Sequence, residues 1–271
     1  MRASVKALFI AIVVASGMPI GGPSVALLQP TSQRIFVADC SYDHRLSDDP
    51  IVRPAQPGAS HSHDFFGNKS TDAFSTYASL RASTATCSRL ADRSAYWVPT
   101  LYSAGMAVRP LGMSAYYTTR GKWPSTIVAF PEGLRIVAGN SVATQPQATM
   151  ITLWTCGNNV ATESSQVPTC PAGTPLFVHV RFPDCWNGTH LDWADHKSHM
   201  AYSMRGVCPA GYPVALPGLQ INVSYPVRGG SAISLASGGA YSAHGDFFNA
   251  WDQAVLTYLV RQCLNLGNRC V

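Results

Sequence analysis

Glutamate is nearly missing from this 271-residue chain: Glu132 and Glu163 stand against twelve aspartates. Charged residues make up only 12%, about half the usual fraction of roughly 25%. Helical surfaces draw heavily on Glu, Lys and Ala, so the shortage argues for strands and loops over a helical protein. There is no C-x-x-C pair, which argues against zinc ribbons and thioredoxin-like redox chemistry. No Gly-x-Ser-x-Gly elbow and no recognisable phosphate loop occur, which weighs against that class of serine hydrolase and against phosphate-loop enzymes. Nineteen basic and fourteen acidic residues give a net charge of +5. That surplus is too small and too scattered to point to a nucleic-acid partner.

The single long apolar run lies at the N-terminus. Arg2 and Lys6 precede residues 7–15, "ALFIAIVVA", and Ser24-Val25-Ala26 offers small residues for cleavage. The pattern predicts a signal peptide over 1–26 and a mature, secreted, extracellular domain over 27–271, with no membrane association after cleavage. Losing Arg2 and Lys6 leaves a formal charge of +3. All eight cysteines follow the cleavage site: Cys40, Cys87, Cys156, Cys170, Cys185, Cys208, Cys263 and Cys270. An even count in an exported chain predicts four disulfides, and the short separations favour sequential pairing.

Between turn-rich stretches lie short β-type runs at 94–102, 113–120, 125–130, 134–139, 149–156, 176–182 and 219–225. Runs of this length, rich in Val, Ile, Tyr, Phe and Thr, predict a mainly β, single-domain sandwich or jelly-roll-like fold stabilised by disulfides. In "LFVHVRF" strict alternation places Leu176, Val178 and Val180 on one face. One helix is expected near the C-terminus, since Phe247, Trp251, Val255, Leu259 and Cys263 recur every four residues. Asp246 would then cap its start and Gly267 its end.

Candidate functional residues gather in three segments: "HSHDFFGN" at 61–68, "DHKSHMAYS" at 195–203 and "HGDFFNAWD" at 244–252. Six of the eight histidines fall in 61–63, 190–199 or 244. His61-Ser62-His63 has strand spacing that turns both imidazoles to one side, where they can share a divalent metal ion. Asp195 beside His196 and His199 suggests a carboxylate orienting an imidazole that works as acid or base. His244 and Asp246 sit after a glycine-rich loop, a setting in which backbone can approach a ligand closely. The expected site is therefore a single cleft of His63, Asp195, His196, His199, His244 and Asp246, with His61 at its edge. Lys197, Arg135, Tyr202 and Trp251 are the candidate substrate contacts.

These motifs, with "SAYWVPTLY", "AFPEGLRIVAGN", "RFPDCWNG" and "CPAGYPVALPGL", resemble a family of secreted proteins of unknown activity. Its members occur in actinobacteria and in fungi, where they are often joined to WSC carbohydrate-binding modules. The resemblance runs from about residue 50 to 263 and implies work on cell-wall or other extracellular polysaccharide. The expectation is a polysaccharide hydrolase or lyase with a His/Asp site, metal-assisted or not. The alternatives are a non-catalytic glycan-binding protein with structural histidines, and a secreted metal-dependent nuclease or phosphoesterase.

Overall fold

Ten principal strands form two five-stranded antiparallel sheets. The computed structural model describes residues 34–270; the signal-peptide expectation over 1–26 lies outside the described residues. The strands are β1 (Ile35–Cys40), β2 (Tyr42–Leu46), β3 (His63–Gly67), β4 (Ala95–Pro99), β5 (Gly112–Thr118), β6 (Arg135–Gly139), β7 (Thr152–Cys156), β8 (Leu176–Arg181), β9 (Gly218–Tyr225) and β10 (His244–Phe248). The first sheet runs β1-β5-β9-β8-β7 and the second β2-β3-β4-β10-β6. Their facing sides form one apolar core, with Phe36, Tyr117, Val178 and Ile221 from the first sheet against Phe66, Tyr96, Ile136 and Phe247 from the second. Gly245 lets the layers approach closely: a Cβ there would sit 3.1 Å from Ile221 and 3.3 Å from Val180. The expected sandwich is present, and Leu176, Val178 and Val180 face its core as their alternation requires.

The second sheet differs from an ordinary sandwich layer because its outer face is also covered. His63, Phe65, Trp97, Asp246 and Phe248 are all fully or almost fully buried on that side. Phe65, Trp97 and Phe248 join Ile51, Leu80, Ala95 and Ala250 in a second small core. The lid over it includes the short helix α1 (Tyr77–Ala82), whose Leu80 is buried. Strands buried on both faces lose the polar/apolar alternation. That is why "HDFFG" and "HGDFF" do not read as amphipathic strands.

Two local expectations change. The C-terminal helix α2 begins at Gln253 with Asp252 as its cap, and a π-helical turn over Val260–Asn265 continues it. Asp246 is therefore not a helix cap but a mid-strand residue. The four-residue recurrence spans a strand, a bend and a helix, with Phe247 and Trp251 buried for separate reasons. Residues 125–130 form a 3-10 turn and an irregular segment rather than a strand. Ile127 and Phe130 still reach the core from there.

The four disulfides pair in sequence order, Cys40–Cys87, Cys156–Cys170, Cys185–Cys208 and Cys263–Cys270. Among the described residues no cysteine is free, and no helix is long and apolar enough to cross a membrane.

Asp92 ties the core to pH. Its carboxylate, fully buried, accepts from the Tyr96 hydroxyl at 2.7 Å and the Ser94 amide at 3.0 Å. Burial raises its pKa to about 6. A raised folded value favours the fold below the ordinary carboxylate range and loses that advantage as pH climbs through 6. The gap corresponds to about 3 kcal/mol. Denaturant midpoints between pH 4 and 7 should show this loss, and Asp92→Asn should flatten that part of the profile.

Candidate functional site

Strand register brings two of the three candidate segments together on the outer face of the second sheet. His63 lies opposite Pro99 of β4, and Asp246 lies opposite Trp97 of the same strand. On the other flank of β10, His244 faces Gly139 and Asp246 faces Val137. His63, His244 and Asp246 thus project from neighbouring strands to one side, and His61 enters just before β3. The ring centroids of His61 and His63 lie 4.3 Å apart, and those of His61 and His244 5.0 Å apart. The Nε2 atoms of His61 and His244 are 3.1 Å apart.

Two of these rings are fixed from behind. His63 Nδ1 donates to the Asp48 carbonyl at 2.9 Å, and His244 Nδ1 donates to the Ser242 carbonyl at 2.8 Å. A ring that donates through Nδ1 and is neutral carries its lone pair on Nε2. Burial favours that neutral form: it pushes His63 well below the usual imidazole range and His244 to about 4. Gly139 makes the approach of His244 feasible. Its φ is +85°, and a Cβ would lie 2.7 Å from the Ala243 carbonyl oxygen and 2.9 Å from His244 Cα. Gly139→Ala should cost more than about 1 kcal/mol and displace His244, which a melting curve would register.

Two carboxylates lie beside the imidazoles. Asp246 is 1% exposed, and neither of its oxygens has a hydrogen-bond partner among the described residues. Burial drives its pKa far above the ordinary range, the neighbouring Asp49 adds to this, and Lys197 opposes it. Asp49 spends one oxygen on the amides of Ile51 and Val52, at 3.0 and 2.9 Å.

An open cleft of about 290 Å³ lies above this floor, lined by His61, His244, Asp246, Asp49, Arg53, Asp195, His196 and Lys197 among others. The loop carrying the last three is pinned to the edge of β6, where Arg135 N donates to the Leu191 carbonyl at 2.9 Å. Cys185–Cys208 staples its base. His196 adopts φ +57°, an uncommon conformation for a residue with a side chain. Its Nδ1 lies 3.0 and 3.1 Å from the two oxygens of Asp192. The half-buried ring keeps Nε2 for the cleft. Lys197 Nζ donates to the Gly139 carbonyl at 2.7 Å.

Several expected roles need correction. Asp195 does not orient a histidine. Its carboxylate accepts from the amides of Lys197 and Ser198 and from the Ser198 hydroxyl, closing a turn. The Ser198 hydroxyl contributes most to holding its pKa near 2. The orienting acid is Asp192, four residues before His196, a separation at which adjacency in sequence gives no signal. His199 is buried below the cleft, donating through Nε2 to the Arg135 carbonyl at 2.7 Å, and is not among the cleft-lining residues. The Arg135 guanidinium packs over Phe248 at 4.7 Å and reaches Asp192 at 3.3 Å, so it props the loop instead of meeting a ligand. Tyr202 donates its hydroxyl to the Arg181 carbonyl at 2.9 Å, outside the cleft. Trp251 is fully buried and donates to the Tyr117 hydroxyl at 3.0 Å, so it offers no stacking surface. Asp64, next to His63, points away and pairs with Arg45 at 2.7 Å.

His61, His63, His196, His244, Asp246 and Lys197 therefore meet at one place. No curated protein and no solved structure matches the chain. A family model described as a domain of unknown function, DUF1996, matches residues 49–251, a span that opens at Asp49 and takes in every residue of the cleft floor. The chain belongs to the DUF1996 family.

Proposed function

We propose that this protein is a secreted enzyme that cleaves an extracellular or cell-wall polysaccharide at the histidine cleft. The observation that carries the reading is His196, held by Asp192 with its second nitrogen left for the cleft, beside Lys197 and the imidazoles of His61 and His244. An imidazole fixed by a carboxylate is a standard acid/base device. Four disulfides suit work outside the cell. The resemblance to chains joined to WSC modules supports a glycan substrate, as an associational argument.

Between hydrolysis and elimination, the cleft favours elimination. The usual glycosidase needs two available carboxylates flanking the bond. Here Asp246 is buried, Asp49 is engaged by backbone amides and Asp195 closes a turn. Elimination needs a base, which the second ring nitrogen of His196 provides. It also needs positive charge to steady a uronate carboxylate, which Lys197 and the exposed Arg53 provide. The base takes the proton beside the carboxylate, the electron pair forms a double bond, and the glycosidic oxygen leaves with a proton.

The secreted protein should be incubated with uronate polymers, neutral glycans and nucleic acids. The expected result is rising ultraviolet absorbance from unsaturated uronate ends. New reducing ends without that absorbance would move the reaction to hydrolysis. Phosphodiester cleavage would favour the nuclease reading, and tight glycan binding without turnover would make the protein a binding module.

A further inference from the structure

The floor of the cleft carries buried lone pairs that no protein group meets. His63 Nε2 is fully buried and has no hydrogen-bond partner among the described residues. The two oxygens of Asp246 are in the same condition. Buried polar atoms without partners are rare, and burying a lone carboxylate is costly unless a cation compensates it. Nδ1 of His63 and of His244 is tied to a main-chain carbonyl. That arrangement is the usual support behind a metal-ligating histidine. Nitrogens of His61, His63 and His244 lie within 4.8 Å of one another. The 3.1 Å between the Nε2 atoms of His61 and His244 is close to the edge of about 3.3 Å expected for a tetrahedron with Zn–N near 2.05 Å.

We propose that His61, His63 and His244 hold one divalent first-row transition-metal ion, with the buried Asp246 carboxylate as its counter-charge. A second donor group, Asp49, His63 and Asp246, also lies within 4.8 Å. It shares His63, whose Nδ1 is taken by Asp48, and a single remaining lone pair serves a single ion. The site therefore holds one ion and not two. Three imidazoles with a carboxylate select zinc, iron, nickel or copper over calcium and magnesium. His61 is only half buried, so the ion has an open side toward the cleft. An ion there can polarise a substrate oxygen or lower the pKa of bound water.

Metal content is read without any substrate, so this assignment can stand or fall apart from the proposed activity. The purified protein, stripped with chelator and reloaded with Zn²⁺, should hold one equivalent. Its melting temperature should rise by about 5–10 °C at hundredfold excess over Kd. Co²⁺ should give the visible absorption of a low-coordinate site. His61→Ala, at a half-exposed position that should leave the fold intact, should weaken Zn²⁺ binding by about 100-fold or more, since even supporting residues cost 10–100-fold. His63→Ala and His244→Ala should abolish binding. His190→Ala, on the exposed loop, should change nothing. Two equivalents per chain, none, or wild-type affinity in the His61 and His244 variants would each overturn the proposal. If Zn²⁺ binds as expected and no polysaccharide is cleaved, the site survives and the proposed function does not.

Discussion

Asp246→Asn is expected to raise the melting temperature of the metal-free protein while removing its activity. The carboxylate is buried without a partner, and its pKa stands far above the ordinary range because of that burial. A raised folded value means the native state keeps a proton that the unfolded chain has released. Native stability is then greatest below the unfolded pKa and declines as pH rises toward the folded one, with a slope of about 1.4 kcal/mol per pH unit. Asparagine does not titrate, so the variant should match wild type near pH 4 and melt above it at neutral pH. Saturating Zn²⁺ should reverse the order, because only the wild type then gains a compensated charge. Parallel melting curves at pH 4 and pH 7, with chelator and with Zn²⁺, check both halves. A variant that melts lower than wild type in chelator would mean that Asp246 serves the architecture and not a ligand.

This opposition between stability and function explains which parts of the molecule were legible in its sequence. The first sheet was legible because its outer face meets solvent. In "LFVHVRF" Leu176, Val178 and Val180 are buried and Phe177 and Arg181 half-exposed as the letters require, with His179 the one buried exception. The local disulfides were legible because close cysteines have few competing partners. The second sheet was harder, since β3, β4 and β10 are buried on both faces and show no alternation. Its motifs gave away the site through their histidines while hiding the strands that carry them. "HGDFF" also runs into α2 without a break in four-residue apolar spacing, so the strand looks like the start of a helix.

The second sheet also shows why clustering in sequence is a weak guide to roles. His61, His63 and His244 converge because β3 and β10 both flank β4, a fact about register that no local pattern records. His199 shares its segment with His196 yet ends up beneath the cleft, since the chain turns through a left-handed His196 and only Lys197 and Ser198 separate the two. Arg135, Tyr202 and Trp251 carry side chains suited to a ligand, and each spends that chemistry inside the protein.

The same distinction separates two aspartates of the loop, and the expected effects are large. Asp192 faces His196 Nδ1 with both oxygens and is itself steadied by Arg135. Changing it to asparagine leaves a side chain of equal size that can present its amide N–H to the ring. That substitution disturbs the tautomer and removes the negative charge that stabilises a protonated imidazole. Loss of the orienting acid in comparable dyads lowers turnover by about 10⁴-fold, so Asp192→Asn should reduce kcat by at least two to four orders of magnitude. Asp195→Asn should behave differently. Its carboxylate closes a turn with the Lys197 and Ser198 amides, and the asparagine oxygen can still accept from both. Turnover should stay within about tenfold of wild type, with a small drop in melting temperature. Zn²⁺ content should be unchanged in both variants, since neither residue lies among the three imidazoles. Steady-state kinetics on the uronate polymer, beside metal analysis of each variant, decide the matter. Equal losses in both would mean that the loop acts only as a scaffold, and a harmless Asp192→Asn would remove His196 from the chemistry.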